Sequence, residues 1–376
     1  MPAPNVRSSS SDDSPYWLEA DEAEGFYQAG AGLLRNIHES RPTIGESDSI
    51  NLNILDTDSF DAYTTFAQTI STIHLSRGWI IYAYEALIGA SMQEEWPTTL
   101  VTIGGVSSAN KQGGGQPNPE LEQVAKFLSS IDLAELIFRF VYLHEFYHAA
   151  LGHTRFLADK LGARAFATIP SNMPSGDISE FRKIRTAFEL EADACALKTL
   201  IFALYKGEFD TLFSSKGIGV LGISFVVELA YLLNLEMIGE SSTRDWGSLF
   251  RFDEPGVYPH PVKRRFFLLA KLVSGCRTSA LASALEDGFD YGASVARVCY
   301  RMVTKSGPHR TLEGSKGETP DLAAERRVLE IARLGRIGEA MIDPQDWIRH
   351  QDAILRRVRG LLSHTETPWP YEIALI

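Results

Sequence analysis

Residues 132–151 read Asp-Leu-Ala-Glu-Leu-Ile-Phe-Arg-Phe-Val-Tyr-Leu-His-Glu-Phe-Tyr-His-Ala-Ala-Leu, a segment with helix signals at both of its ends. Asp132 followed by Glu135 is typical of a capping box at a helix start, and Glu135 with Arg139 forms a favourably oriented i,i+4 pair. Gly152 is a typical stop after the last helical residue. Apolar side chains cover nearly every face of the stretch: Leu133, Ile137, Phe138, Phe140, Val141, Leu143, Phe146 and Leu151. A helix that is apolar all round is buried, so the sequence predicts a core helix here.

Two histidines and a glutamate interrupt the apolar surface of this helix. His144, Glu145 and His148 form a His-Glu-x-x-His motif. Residues four apart stand on the same helix face, so both imidazoles can reach one Zn²⁺ while the carboxylate between them faces the open coordination position. The alternative is a pair of core histidines whose nitrogens are satisfied by hydrogen bonds. Because unpaired buried polar groups are costly, the motif favours one zinc ion per chain, with His144 and His148 as ligands.

A catalytic zinc site needs a third protein ligand, and the sequence offers two candidates. His153 would lie on the far side of a continuous helix from the first ligand, and it is more simply a residue that stabilises the helix C-terminus. Glu189 lies in a second predicted helix, from about 177 to 206, and shares a face with Asp193. This spacing favours Glu189 as the third ligand and Asp193 as the acceptor that orients a ligand imidazole. Glu191 is expected to point elsewhere, to solvent or to a salt bridge.

The two motifs together resemble those of a known group of enzymes. His-Glu-x-x-His followed on a later helix by Glu189-x-x-x-Asp193 resembles the gluzincin zinc peptidases. Residues 188–193 read Phe-Glu-Leu-Glu-Ala-Asp, which is similar to the Glu-x-x-Ala-Asp segment of the HtpX and CAAX prenyl protease group. The layout is also similar to that of the Lit-type phage-exclusion peptidases. The resemblance implies a mainly α (α+β) fold, in which a zincin-like metallopeptidase domain combines a small edge sheet with the buried His-Glu-x-x-His helix.

Further segments carry the resemblance over roughly residues 60–265. Three of them are similar to the strand that precedes the active-site helix in that group: 60–63, 69–75 and 77–80. Downstream, Tyr258-Pro259-His260-Pro261, with Arg264 and Arg265, looks like the His-Pro segment of the group, whose histidine helps to stabilise the transition state, although the spacing of the arginines differs. The resemblance therefore implies His260 as a second catalytic residue, with Tyr258 as the next candidate for the donor to the oxyanion.

Composition limits the classes of function. The chain has 376 residues, 44% of them hydrophobic, which is enough for a large core in one or two domains. The formal net charge of −12 argues against sequence-independent nucleic-acid binding, which needs a concentrated basic surface. The 3 cysteines include no Cys-x-x-Cys pair, and the N-terminus lacks the basic and apolar regions of a signal peptide. We therefore expect a cytoplasmic protein with reduced thiols.

Three regions are predicted along the chain. Residues 1–15 are expected to be a disordered tail, residues 16–305 the catalytic domain, and residues 320–376 a C-terminal helical appendage rich in arginine. The appendage is expected to pack on the domain, with a partner-docking module as the alternative. Residues 217–235 are strongly apolar but contain polar interruptions, so a buried helix is favoured over a membrane span.

These features together predict a zinc-dependent endopeptidase. Glu145 is expected to take a proton from the attacking water and to deliver it later to the leaving amine. The predicted partner is a protein or peptide substrate. If a strand at residues 69–75 borders the cleft, the substrate would lie extended along the edge of that strand. The alternative is a non-catalytic zinc-binding regulatory or interaction protein. Glu145 argues against that alternative, because binding alone does not need a carboxylate between the two histidines.

Overall fold

The computed structural model describes residues 20–41, 49–59, 61–91, 132–161, 175–206, 261–274 and 344–361, together with positions 223, 226, 227 and 230. Ten elements lie in these ranges: α1 (Ala20–Glu39), β1 (Ser49–Leu55), β2 (Ala62–Ala67), β3 (Ile70–Ser76), α2 (Arg77–Ser91), α3 (Asp132–Ala150), α4 (His153–Leu161), α5 (Ser175–Lys206), α6 (Pro261–Ser274) and α7 (Pro344–Leu361). This part of the chain is mostly helical with one small mixed sheet, which confirms the predicted mainly α (α+β) class.

The sheet has the order β1-β3-β2, so the predicted strand at 69–75 is its central strand, β3. β3 pairs parallel with β1, where Ser49 lies opposite Ile70, and antiparallel with β2, where Ala62 lies opposite Leu75. Since both edges of β3 are already paired, the hypothesis that a substrate lies along the edge of this strand is wrong. Among the described strands, β1 and β2 lie at the edges of the sheet; both contact α3, and β2 does so more extensively.

A close backbone contact fixes the junction between β3 and α2. The Gly78 amide donates a hydrogen bond to the Thr57 carbonyl at 3.0 Å. A Cβ on Gly78 would lie 2.3 Å from the Ser59 carbonyl oxygen and 2.4 Å from that of Asp58, distances that no side chain tolerates. Glycine is therefore required here, and the tight approach anchors the sheet to the first turn of α2.

Helix α3 occupies the centre of the larger hydrophobic core, as its sequence predicts. It packs against α1, α2, β2 and α5. Its fully buried aromatic side chains include Phe138, Tyr142 and Phe146. Gly152 follows the helix with a φ of 72°, the left-handed conformation that ends a helix and is easiest for glycine. The chain then turns at once into α4, which begins at His153.

A second hydrophobic cluster joins α4, α5, α6 and α7. Its buried members include Phe156, Phe181, Phe188, Phe267, Leu355 and Val358. Gln351 of α7 also donates a buried hydrogen bond from Nε2 to the Ala187 carbonyl of α5 at 3.1 Å. The helix that belongs to the predicted C-terminal appendage thus shares a core with the helix that carries Glu189. The predicted boundaries at 1–15, 16–305 and 320–376 remain predictions.

No helix within the described ranges is long and apolar enough to cross a membrane. The apolar segment 217–235 lies outside those ranges apart from four helical positions. Ile223, Val226 and Val227 are buried in the larger core, and Ala230 packs against it.

Candidate metal centre

The three predicted ligands come together in the core. His144 and His148 lie on α3 and Glu189 on α5, and their ligand atoms all lie within 4.8 Å of one another. The two histidine Nε2 atoms are 3.1 Å apart, His144 Nε2 is 3.3 Å from Glu189 Oε2, and His148 Nε2 is 3.8 Å from Glu189 Oε1. Ligands at zinc bond lengths around a tetrahedral ion lie about 3.3 Å apart. The triangle therefore has nearly the size that a single ion requires.

The carboxylate of Glu189 is the strongest sign that a cation belongs here. Its side chain is fully buried, and both of its oxygens lack a hydrogen-bond donor within the described part of the chain. Two basic groups lie near Oε2, His144 Nε2 at 3.3 Å and Arg264 Nη2 at 3.4 Å. An unsatisfied buried carboxylate is costly, whereas two imidazoles and one carboxylate are the donor set of many catalytic zinc sites. His144, His148 and Glu189 can therefore hold a metal ion.

The charges around the triangle also favour a cation. Burial by itself would lower the pKa of His144, but Asp193 and Glu189 outweigh burial and raise it to about 10. His148 behaves in the opposite way, since burial and the neighbouring His144 hold its pKa well below the ordinary value. His148 is therefore neutral, as a metal ligand must be. The carboxylates of Asp193 and Glu189 thus favour a positive charge beside them, and a metal ion can supply that charge.

Asp193 lies one turn after Glu189 and faces His144. Its Oδ1 is 2.8 Å from His144 Nδ1, the ring nitrogen opposite the one that points at Glu189. Arg264 of α6 donates to both Asp193 oxygens at 2.7 Å, from Nε and Nη2. Burial would raise the pKa of Asp193, but Arg264 and His144 hold it well below its usual range. Asp193 is thus an ionised carboxylate in the position where the sequence expected an acceptor for a ligand imidazole.

His153 and Glu191 are in different surroundings from those predicted. Because Gly152 breaks the helix, the His153 ring turns back toward α3, and its Nδ1 lies 3.1 Å from His148 Nδ1. Its Nε2 lies 3.1 Å from Glu191 Oε2. Glu191 is only 2% exposed, so the expectation of a solvent-facing side chain is wrong, while the expected salt bridge is present, to Arg359 of α7. His153 therefore contacts a ligand and is not part of the triangle.

Glu145 lies beside the triangle on the side of the sheet. The Thr64 hydroxyl on β2 contacts Glu145 twice, with Oγ1 2.8 Å from carboxylate Oε2 and 3.0 Å from the backbone carbonyl oxygen. The other carboxylate oxygen, Oε1, lies 4.0 Å from His144 Nε2. Burial raises the pKa of Glu145 to about 7, against the opposing effect of His144. His144 and Glu145 keep 7% and 6% exposure, whereas His148 and Glu189 keep 1% and none, so the residual access to the site lies on the Glu145 side.

Three contributors, Thr64, Arg264 and Arg359, have no role in the site that the sequence predicts. Arg264 belongs to the segment that resembles the His-Pro segment, and that resemblance is the only sequence signal for it. His260 and Tyr258 themselves fall outside the residues that the structure describes, so their predicted roles remain predictions.

Comparison of the chain with protein-family models, with curated proteins and with solved structures found no match.

Proposed function

We propose that this protein is a zinc-dependent endopeptidase that hydrolyses peptide bonds in a protein or peptide substrate. The observation that supports this most directly is the buried His144, His148 and Glu189 triangle with the carboxylate of Glu145 beside it, on the side where these residues keep some exposure. A site that only stored a metal would have no need of a carboxylate on that side. The resemblance to gluzincin peptidases, which rests on these same residues, points to the same chemistry.

His144, His148 and Glu189 would hold the zinc ion. When bound, zinc supplies Lewis acidity, which acidifies a water molecule and polarises the carbonyl of the scissile bond. The fully buried Glu189 brings one negative charge to the three-ligand set, and the ionised Asp193 behind His144 brings another nearby. Both charges strengthen the preference of the site for a divalent cation.

Glu145 is the proposed general base and acid. The Thr64 hydroxyl binds Oε2, so Oε1 is left on the side of His144 to accept a proton from the attacking water. Burial brings the pKa of Glu145 to about 7, close to the value at which a group both accepts and returns a proton efficiently. Glu145 would then pass this proton to the nitrogen of the leaving amine, which balances the hydrolysis.

Strand β2 is the proposed docking edge for the substrate. It carries Thr64, and it has β3 on one side and no other strand among the described residues on the other. An extended peptide that adds to such an edge gains main-chain hydrogen bonds, and its scissile bond would be held near Glu145. β3 offers no such edge, because β1 and β2 pair with it on its two sides.

The decisive test uses Glu145→Gln, which keeps the size of the side chain and an oxygen for Thr64. We expect the variant to retain one zinc per chain by elemental analysis. Its hydrolysis of an unstructured protein or a quenched fluorescent peptide library should fall about 10²- to 10⁴-fold, the usual contribution of a general base.

Glu135→Gln is the matched control for this test, because Glu135 lies on the same helix and pairs with Arg139 at 2.7 Å, away from the site. It should leave both zinc content and turnover unchanged. Equal turnover in wild type and Glu145→Gln would contradict the proposal. Zinc binding without any hydrolysis in wild type would favour the non-catalytic zinc-binding alternative.

A further inference from the structure

A chain of contacts runs from the second histidine of the motif to the C-terminal helix. His148 Nδ1 lies 3.1 Å from His153 Nδ1, and His153 Nε2 lies 3.1 Å from Glu191 Oε2. Glu191 Oε1 accepts a hydrogen bond from Nη2 of Arg359 on α7. His148, His153 and Glu191 are all at least 98% buried, while the Arg359 side chain is 40% exposed. We call these contacts, from Arg359 to His148, the histidine relay.

The order of donors and acceptors in the relay follows from its two ends. At one end, a metal ligand must offer its Nε2 lone pair, so the proton of neutral His148 is on Nδ1. That N–H can donate only to a deprotonated Nδ1 of His153, whose own proton is then on Nε2. At the other end, the Nε2–H of His153 donates to Glu191, a carboxylate that the guanidinium of Arg359 keeps in place. In this order each N–H of the relay has an acceptor. The reverse order would place a proton on the metal-binding nitrogen of His148.

Packing holds the relay in its geometry. The His153 ring stacks on Phe188 with 4.0 Å between centroids and 7° between planes. Phe188 comes directly before Glu189, so the same turn of α5 supports the relay and supplies the third ligand. The other imidazole, His144, has a different arrangement, because the carboxylate of Asp193 lies directly against it.

We infer that His153, Glu191 and Arg359 are positioning residues that orient His148 toward the metal, so that helix α7 contributes to metal affinity. This inference rests on the metal site of the proposed function. It assigns to the C-terminal helix a part in the chemistry of the site that its distance along the sequence does not suggest. None of the three residues is expected to touch the substrate.

The first test changes the middle of the relay. His153→Phe keeps a ring to stack on Phe188 but cannot accept from His148, so we expect the zinc affinity to fall about 10- to 100-fold. His153→Gln should recover most of this loss, because an amide can both accept from His148 and donate to Glu191. Affinity is measured by competition with a chromophoric chelator, and the visible absorption of the Co²⁺-substituted protein should change in His153→Phe and return toward wild type in His153→Gln.

The second test changes the end of the relay and has a matched control on the same helix. Arg359 and Arg357 both reach from α7 to a glutamate on α5, but Glu180, the partner of Arg357, does not contact a metal ligand. Arg359→Ala should lower the zinc affinity up to about fivefold, since its ion pair is partly exposed. Arg357→Ala should leave the affinity at the wild-type value while the thermal stability of the metal-free protein changes by a similar amount in both variants.

Several outcomes would overturn the inference. Wild-type zinc affinity in a folded His153→Phe would show that the histidine relay does not affect metal binding. Equal losses of zinc affinity in Arg357→Ala and Arg359→Ala would show that α7 acts only through the general stability of the fold. Because these measurements do not use peptide hydrolysis, they are separate from the test of the proposed function. A relay that behaves as expected in a protein without peptidase activity would support the inference and contradict the endopeptidase proposal.

Discussion

The two sides of the metal centre are built in different ways. On the sheet side, Glu145 contacts a neutral hydroxyl from β2 and keeps some exposure. On the helical side, Glu189 and Asp193 lie on one face of α5 and Glu191 on another, all buried, among histidines and arginines from four other helices. The difference separates two tasks: the sheet side leaves an oxygen available to accept a proton, and the helical side concentrates negative charge around a cation. Changes on the helical side should therefore affect metal affinity, and changes on the sheet side should affect turnover.

The largest effect is expected from removing the ligand on the helical side. Glu189→Ala should lose zinc and, with it, all hydrolysis, because removal of a direct ligand costs more than the roughly 10- to 100-fold that loss of an outer-shell partner costs. Elemental analysis of wild type and variant, both purified without added metal, measures this. One zinc per chain in both proteins would mean that Glu189 is not the third ligand.

The next effect is expected from Arg264, which binds both oxygens of Asp193. Among the residues that the structure describes, Arg264→Met leaves the buried Asp193 carboxylate with His144 as its one partner, so we expect a loss of about 3 kcal/mol in the free energy of unfolding. Chemical denaturation of the metal-free protein measures it. Lys271→Met is the matched control, because Lys271 lies on the same helix and its ion pair with Asp352 is partly exposed; it should cost no more than about 1 kcal/mol. Equal losses of unfolding free energy in the two variants would mean that the buried ion pair of Arg264 contributes no more to stability than the partly exposed pair of Lys271.

A smaller effect, on turnover alone, is expected on the sheet side. Thr64→Val has nearly the same shape but removes the hydroxyl next to Glu145 Oε2, so turnover should fall about tenfold while zinc content stays at one per chain. Thr64→Ser keeps a hydroxyl and should stay close to wild type. Steady-state kinetics with one peptide, together with metal analysis, separates the two quantities. A fall in zinc content in Thr64→Val would show that the two sides are not independent.

The smallest effect is expected away from the site on the sheet side. Arg77, at the start of α2, forms ion pairs with Glu24 at 3.0 Å and with Asp56 at 3.4 Å, and it lies over the Tyr27 ring. These contacts are mostly exposed, so Arg77→Ala should lower the free energy of unfolding by at most about 1 kcal/mol. Thermal unfolding gives this value, and zinc content and turnover should not change. A large loss of turnover in Arg77→Ala would mean that residues of the sheet side other than Thr64 also affect catalysis.

The local parts of the site could be predicted from residue spacing. The histidine pair four residues apart in an apolar helix, and Glu189 with Asp193 one turn apart in another, were sufficient to predict which side chains would meet, since helix periodicity sets which residues share a face. The error at His153 had a local cause as well. The prediction assumed a continuous helix, whereas the left-handed Gly152 turns the chain and brings the ring back to His148.

Residue spacing was enough to identify the core helix and the three candidate metal ligands. The packing of distant elements decided which residues contact the other acidic side chains of the site: Thr64 is 81 positions from Glu145, Arg264 is 71 positions from Asp193, and Arg359 is 168 positions from Glu191. It also decided that β3 is the central strand and that β2 adjoins the site. The physical reason is that periodicity reports the faces of one element, whereas contacts between distant elements depend on how those faces pack together in the folded chain.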